Sequence, residues 1–216
     1  MKNLMIKELK LVVSPSSYFF ALCGALVLVP AYPYSIGMFY CLFSILITFG
    51  TARANNDHLF TAMLPVSRDH IVLAKHFDMI FPQMLTLLIA IPCAIISTQI
   101  LNKSGNIVGM DANIAFFGLT LTAYGIFNII FLPWYFKTGY KVGWPMAAGI
   151  AAFVFLWTVF EITIHSIPSL AGKIDSLDPS TVKYQLPVLL LGIIIYFGTL
   201  MISYRRSIRN FEKVSL

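Results

Sequence analysis

Long runs of apolar residues, separated by short polar segments, dominate this 216-residue chain. Six such runs occur, Ser17 to Pro33, Ile36 to Ala52, Met79 to Leu101, Asn113 to Phe136, Trp144 to Ile167 and Pro187 to Tyr204. Each approaches or exceeds the roughly 20 residues that a helix needs to cross a bilayer, the first two only barely. Between those two lies a short segment around AYPYS, rich in Pro and Tyr. It predicts antiparallel neighbours joined by a tight hairpin with aromatic interface anchors. Ahead of the first run, Met5, Leu9, Val12 and Val13 share one arc at about 100° per residue, and Asn3, Lys7, Glu8 and Lys10 fall largely on the other. Residues 1 to 15 therefore predict an amphipathic helix lying in the membrane interface. A signal peptide is the poorer reading, because charge interrupts the segment and no small-residue cleavage site precedes a soluble chain.

Composition agrees with the pattern. The chain is 58% hydrophobic and 11% charged, against roughly 25% charged residues in a soluble domain. A water-soluble fold of this composition would expose large apolar patches. The formal charge of +6 does not point to nucleic acid, because the cations sit between the apolar runs and at the chain ends. Lys2, Lys7, Lys10, Arg53, Arg68, Lys75, Lys137, Lys141, Arg205, Arg206, Arg209 and Lys213 fall on one side of the implied membrane, and only Lys103, Lys173 and Lys183 on the other. Positive charge marks the cytoplasmic side. The expected fold is an all-α integral membrane protein, with six transmembrane helices, an N-terminal amphipathic interfacial helix and both termini cytoplasmic. Residues 1–216 then form one transmembrane domain, with a basic cytoplasmic tail at 205–216. Cys23, Cys41 and Cys93 lie inside apolar runs without CxxC spacing and read as free thiols acting as small hydrophobes.

The longest cytoplasmic segment, residues 53–78, mixes charges with Leu59, Phe60, Met63, Leu64 and Val66, and is too apolar for a solvated linker. Pro65 stops one helical turn, Ser67 can cap the next, Asp69 sits in its first turn, and Ile71 to Lys75 resume a helix. A helix, break, helix shape presents a surface to a cytosolic partner, although from periodicity alone an interfacial helix packed on lipid headgroups fits equally well. The string LPVSRDHIVLAK at Leu64 to Lys75, preceded by NND at Asn55 to Asp57, resembles the first cytoplasmic loop of permease subunits in the type-two ABC exporter superfamily. Six spans, the N-terminal amphipathic helix, cytoplasmic ends and a basic tail are similar to that family's layout. The resemblance implies a coupling helix here, named the coupling segment because it contacts a separate ATPase, with Leu64, Pro65, Ser67, Arg68, Ile71 and Lys75 belonging to it. It also implies two paired permeases, copies or sisters, in the plasma membrane of a bacterium. Among similar permeases are exporters of amphipathic peptides such as phenol-soluble modulins.

No GxxxxGK[ST] phosphate cradle occurs in the chain, and the Gly172–Lys173 pair lacks the upstream glycine. ATP is thus expected on a partner ATPase, with no cofactor or metal in this chain. No GxSxG or comparable Ser and His pairing marks a nucleophile, so a non-catalytic subunit is expected. Glu161 is the one acidic residue inside an expected span, a costly place for a carboxylate, and His165 follows one turn later on the same face. The pair reads either as an intramembrane polar site relaying a proton, in an ion-coupled secondary transporter, or as side chains snorkelling to water near the external end of the fifth span. ExxxH alone is too poor in ligands for zinc. His58, His70 and His76 beside Asp57, Asp69 and Asp78 suit a polar surface flanking a coupling helix better than a metal cluster. An assembly scaffold is a further alternative. Pro82, Pro92, Pro133, Pro145 and Pro187 sit in or at the starts of spans, where they free carbonyls and suit a moving transporter. Aromatic and apolar spans with little charge suggest an amphipathic or hydrophobic cargo.

Overall fold

A computed structural model describes residues 2–63, 65–101 and 105–213, and every regular element among them is helical. Helix α1, Lys2–Lys7, runs into a π-helical turn over Glu8–Val12. The chain then bends by 79° into α2, Ser16–Leu22, continued by a 3-10 stretch over Cys23–Leu28. Helices α3 (Tyr34–Phe39) and α4 (Cys41–Ala54) form one span. A short α5 (Asp57–Met63) precedes the long α6 (Arg68–Ile96), which ends in a π-helical turn over Ser97–Leu101. Then follow α7 (Ile114–Lys137), α8 (Gly143–Ser166), the short α9 (Pro168–Ile174) and α10 (Val182–Glu212). Among the described residues, five helices are long and apolar enough to cross a membrane, or six when the bent N-terminal pair counts as one span.

The first crossing departs most from expectation. Only Ser16–Leu28 is helical where Ser17 to Pro33 was expected. Six of its residues are 3-10, which rises about 2.0 Å per residue against 1.5 Å in an α-helix. The segment therefore reaches about 22 Å, short of a ~30 Å hydrocarbon core. It still travels between the two ends of the bundle. Glu8, before it, meets Lys75 at the basic end, and Pro30, after it, accepts a bond from the Ile107 amide at the opposite end. Gly24 makes the passage possible, since a Cβ there would lie 2.7 Å from the Thr86 carbonyl oxygen on α6.

Of the remaining spans, α7 and α8 are bounded within one residue of expectation, whereas α6 begins at Arg68 rather than Met79, so the helix expected to resume at Ile71 to Lys75 is the first part of the third span. The Asn113 side chain accepts from the Phe116 amide at 3.0 Å and caps α7. The α7–α8 reversal needs left-handed backbone at Gly139 and Tyr140, with φ of 63° and 65°. Tyr140 tolerates it because its ring is buried against Tyr135, Phe136 and Phe211. The expected basic tail is instead the end of α10, whose 31 residues extend about 46 Å. Burial of Phe211 on Phe136 and Tyr140 holds that end helical, and residues 214–216 lie outside the described set.

The most extensive pairing is between α7 and α10. Small residues seven apart, Gly118 and Gly125 on one helix and Gly192 and Thr199 on the other, let the backbones approach. A Cβ on Gly118 would stand 2.6 Å from the Val188 carbonyl oxygen. Prolines 82, 92 and 133 are carried inside continuous helices. The interior also holds a polar thread: Gln83 donates to Asn128 Oδ1 at 2.7 Å, Tyr196 donates to Gln83 Oε1 at 2.9 Å, and Ser203 donates to the Asn128 carbonyl at 3.0 Å. These bonds satisfy amides that have no water to turn to, and they tie α6, α7 and α10 together.

Candidate functional site

At the basic end, the chain leaves α4 through Asn56, whose φ of 53° reverses it into α5. Asp57 opens α5, Phe60 and Met63 on it are exposed, and Pro65, Ser67 and Arg68 are exposed beyond the break. Leu64 lies outside the described residues. Val66 packs against the core beneath. Ser67 holds the N-cap position of α6, but its hydroxyl makes no capping bond; its carbonyl instead accepts from the His70 and Ile71 amides. Arg68 stacks over the Phe211 ring at 5.6 Å and donates to the Glu212 carbonyl at 3.4 Å. The start of α6 is thereby fastened to the end of α10.

Two residues grouped with the coupling segment do not face outward. Ile71 is 4% exposed and belongs to the hydrophobic core, one turn into α6. Lys75 is also buried, and its ammonium lies 2.9 Å from Glu8 Oε2, 2.9 Å from Asp57 Oδ2 and 3.1 Å from Asp78 Oδ2. Lys7 completes the cluster through Glu8 Oε1 at 3.0 Å, Asp57 Oδ1 and the Thr61 hydroxyl at 2.8 Å. Two ammonium groups thus face three carboxylates, and Asp78 Oδ1 has no partner among the described residues. Burial pushes the Asp57 carboxyl up, but Lys75 and Lys7 outweigh it and hold the group below its ordinary value. The cluster links the interfacial helix, α5 and α6, so the exposed helix is anchored from beneath by charge.

The 100° periodicity puts Glu8 on the polar arc of the first helix. It is fully buried. The π-helical turn that begins at Glu8, closed by the Val13 amide on the Glu8 carbonyl, has i→i+5 bonds and breaks the 100° periodicity used to place it. Its partner Lys75 is 67 residues away, which no local pattern reveals. Gln83 and Asn128 carry a signal of their own, each being an amide inside an apolar run. His70 is exposed, whereas His76 is buried with Nδ1 at 2.8 Å from the Val72 carbonyl and Nε2 at 3.2 Å from Ser203 Oγ. Among the described residues no group of His, Cys, Asp and Glu is arranged to hold a metal.

At the opposite end, Glu161 and His165 do not bond through their side chains. His165 Nδ1 meets the Glu161 backbone carbonyl at 2.9 Å, and its Nε2 faces Asp175 at 3.7 Å. The Glu161 carboxylate takes the Met110 backbone N–H and lies against Gly109. The pair thus helps to close a cap at that end of the bundle. Asp111 accepts from the Asn106 amide at 2.5 Å and donates its own amide to Asp175 at 2.7 Å, while Asn113 donates to the Ile174 carbonyl at 2.6 Å. Burial raises the Asp111 and Asp175 carboxyls above their ordinary values. Beside this cap, a cavity of about 480 Å³ is lined by Pro33, Ile36, Phe39, Phe153, Trp157 and, as its one carboxylate, Glu161.

Helical spans through the described residues, a bent entry and an exposed helix between the second and third crossings define a multi-pass membrane protein. The family model for ABC-2 family transporter proteins matches residues 3–212, and the chain belongs to that family. It is therefore a permease component of an ABC transporter, a type whose working partners are ABC ATPases. This membership does not favour the secondary-transporter reading of Glu161 and His165. No curated protein and no solved structure matches the chain.

Proposed function

We propose that this chain is the permease of an ATP-driven exporter in a bacterial plasma membrane, and that α5, the Pro65 break and the first turn of α6 receive the movement of a separate ATPase. The observation that carries the reading is the exposed apolar pair Phe60 and Met63, the latter 83% exposed, on a short helix anchored by buried ion pairs. An apolar surface on a membrane protein marks a contact with protein or lipid, and the family's working partners, ABC ATPases, favour protein here. The contact residues are Leu64, Pro65, Ser67 and Arg68 together with Phe60 and Met63; Ile71 and Lys75 support them from within. ATP is held and hydrolysed by the partner, and a second permease, a copy or a sister, completes the path. The cargo is amphipathic or hydrophobic, and peptides of the phenol-soluble modulin kind suit it. The mostly apolar cavity with a single carboxylate near the external cap supports that class.

The test is co-purification with the candidate ATPase in mild detergent, comparing the parent with Met63→Asp, Arg68→Glu. Both positions are exposed, but Arg68 also fastens α6 to α10, so Met63→Asp alone is run beside the pair and decides the contact if the pair alters the elution profile. Loss of ATPase association with an unchanged elution profile is expected. Undiminished association would overturn the coupling assignment, and peptide secretion unchanged in cells lacking the subunit would overturn the cargo.

A further inference from the structure

A groove of about 550 Å³ opens between the last turns of α7 and α10 at the basic end. Four cations converge on it, Lys137 from α7 and Arg206, Arg209 and Lys213 from α10, and no carboxylate lines it. None of the four makes an ion pair among the described residues, and all four side chains are exposed. Asn210, between them, is turned inward and donates to the Pro133 carbonyl at 2.7 Å, which fixes the two helices at the floor of the groove. Four like charges gathered without a counter-ion repel one another, so an anion entering the groove stabilises the arrangement.

The walls identify the source of that anion. Up to two turns toward the middle of the membrane, the lining becomes Trp134 and then Ile130 and Ile129. On α10, Ile202 is exposed one turn before Arg206 on the same face. Each helix thus passes from apolar, lipid-facing residues to cations along one continuous stripe, with a Trp at the boundary as interface residues are placed. A soluble phosphate or an acidic protein surface would use the cations but not the apolar stripe, whereas a phospholipid uses both.

We propose that this groove is a binding site for an anionic phospholipid of the cytoplasmic leaflet, with the acyl chains along Ile130 and Ile202 and the headgroup among Lys137, Arg206, Arg209 and Lys213. Four positive charges suit a headgroup with two phosphates better than one. The site lies on the side of the bundle formed by α7 and α10 and is independent of the coupling assignment.

The full chain, purified in detergent and stripped of lipid, is titrated with diphosphatidylglycerol, phosphatidylglycerol, phosphatidylcholine and inorganic pyrophosphate, with binding read by native mass spectrometry and by thermal shift. The expected order is diphosphatidylglycerol above phosphatidylglycerol, with phosphatidylcholine and pyrophosphate giving no saturable shift. Arg206→Gln, Arg209→Gln, Lys213→Gln removes three cations and is expected to weaken diphosphatidylglycerol binding about a hundredfold. A control with three cations outside the groove replaced, Lys10→Gln, Lys141→Gln, Arg205→Gln, keeps it, as does the charge-preserving Arg206→Lys, Arg209→Lys. Equal weakening in the control would mean diffuse surface attraction and would overturn the site. A pyrophosphate shift matching that of the lipid would also overturn it, as would wild-type binding of phosphatidylcholine as tight as that of the anionic lipids.

Discussion

Replacing Lys75 by Met removes the centre of the buried charge cluster while keeping the length and apolar stem of the side chain. In the parent its ammonium makes three ion pairs, at 2.9, 2.9 and 3.1 Å, with its own side chain 3% exposed and those of Glu8 and Asp78 fully buried. After the change Lys7 alone remains for Glu8 and Asp57, and Asp78, which already has one unpartnered oxygen, loses its cation. Breaking a buried pair from one side typically costs about 3–5 kcal/mol, because the remaining charge is stranded. The loss is therefore expected in that range, read from unfolding in mixed detergent micelles. Asp78→Leu added to Lys75→Met should recover much of it, since removing both charges leaves an apolar replacement that is close to neutral. Hydrogen exchange should rise in Asp57–Met63, which loses its tie to α6. A cost below about 1 kcal/mol, the value of an exposed pair, with unchanged exchange in α5, would refute the reasoning.

Gly118→Leu should weaken the α7–α10 crossing by about 1–3 kcal/mol through overpacking, because its Cβ would meet the Val188 carbonyl at 2.6 Å and Leu189 Cα at 2.7 Å; Gly198→Ala, with nothing within 4 Å, is the control and should be neutral or better in the same melting assay. The pH profile should have two components of opposite sign. Asp57 is held below its ordinary 3.8, so its contribution is present above pH 3.8 and is lost as pH falls through the lower folded value. Asp111 and Asp175 are raised by burial, so theirs is present below 3.8 and is lost as pH rises through the higher folded values. Melting measured against pH should show the first component vanish in Asp57→Asn and the second flatten in Asp175→Asn, and unchanged profiles in both would sink the assignment.

The bundle was largely legible in the apolar pattern because a bilayer sets the length of whatever crosses it. Residues 114–137 and 143–166 needed no tertiary information. The first crossing and the last did. Nothing local announces that Cys23–Leu28 is stretched into a 3-10 helix beneath Thr86, or that Phe211 carries α10 past the expected membrane edge onto the α7–α8 turn. The exposed helix and its break at Pro65 were readable from turn and capping chemistry. The inward aim of Ile71, Lys75 and Glu8 was not, because burial of an ion is decided by partners that only the fold brings together.

The same cluster constrains how a push on α5 could travel. Asp57 and Thr61 on α5 are bound by Lys7 and Lys75, and Lys75 is one turn from Asp78 on the same helix. Moving α5 alone would strand carboxylates in a site nearly closed to water, at a cost comparable to that of the Lys75 replacement. Shifting α5, the interfacial helix and α6 as one body costs no ion pair. From α6 the displacement reaches α7 and α10 through Gln83, Asn128 and Tyr196, whose bonds would leave buried amides unpaired if they parted. Under the proposed coupling, the ATPase stroke is therefore delivered as a displacement that α6 shares with α7 and α10, and the buried ions make α5 a lever rather than a hinge.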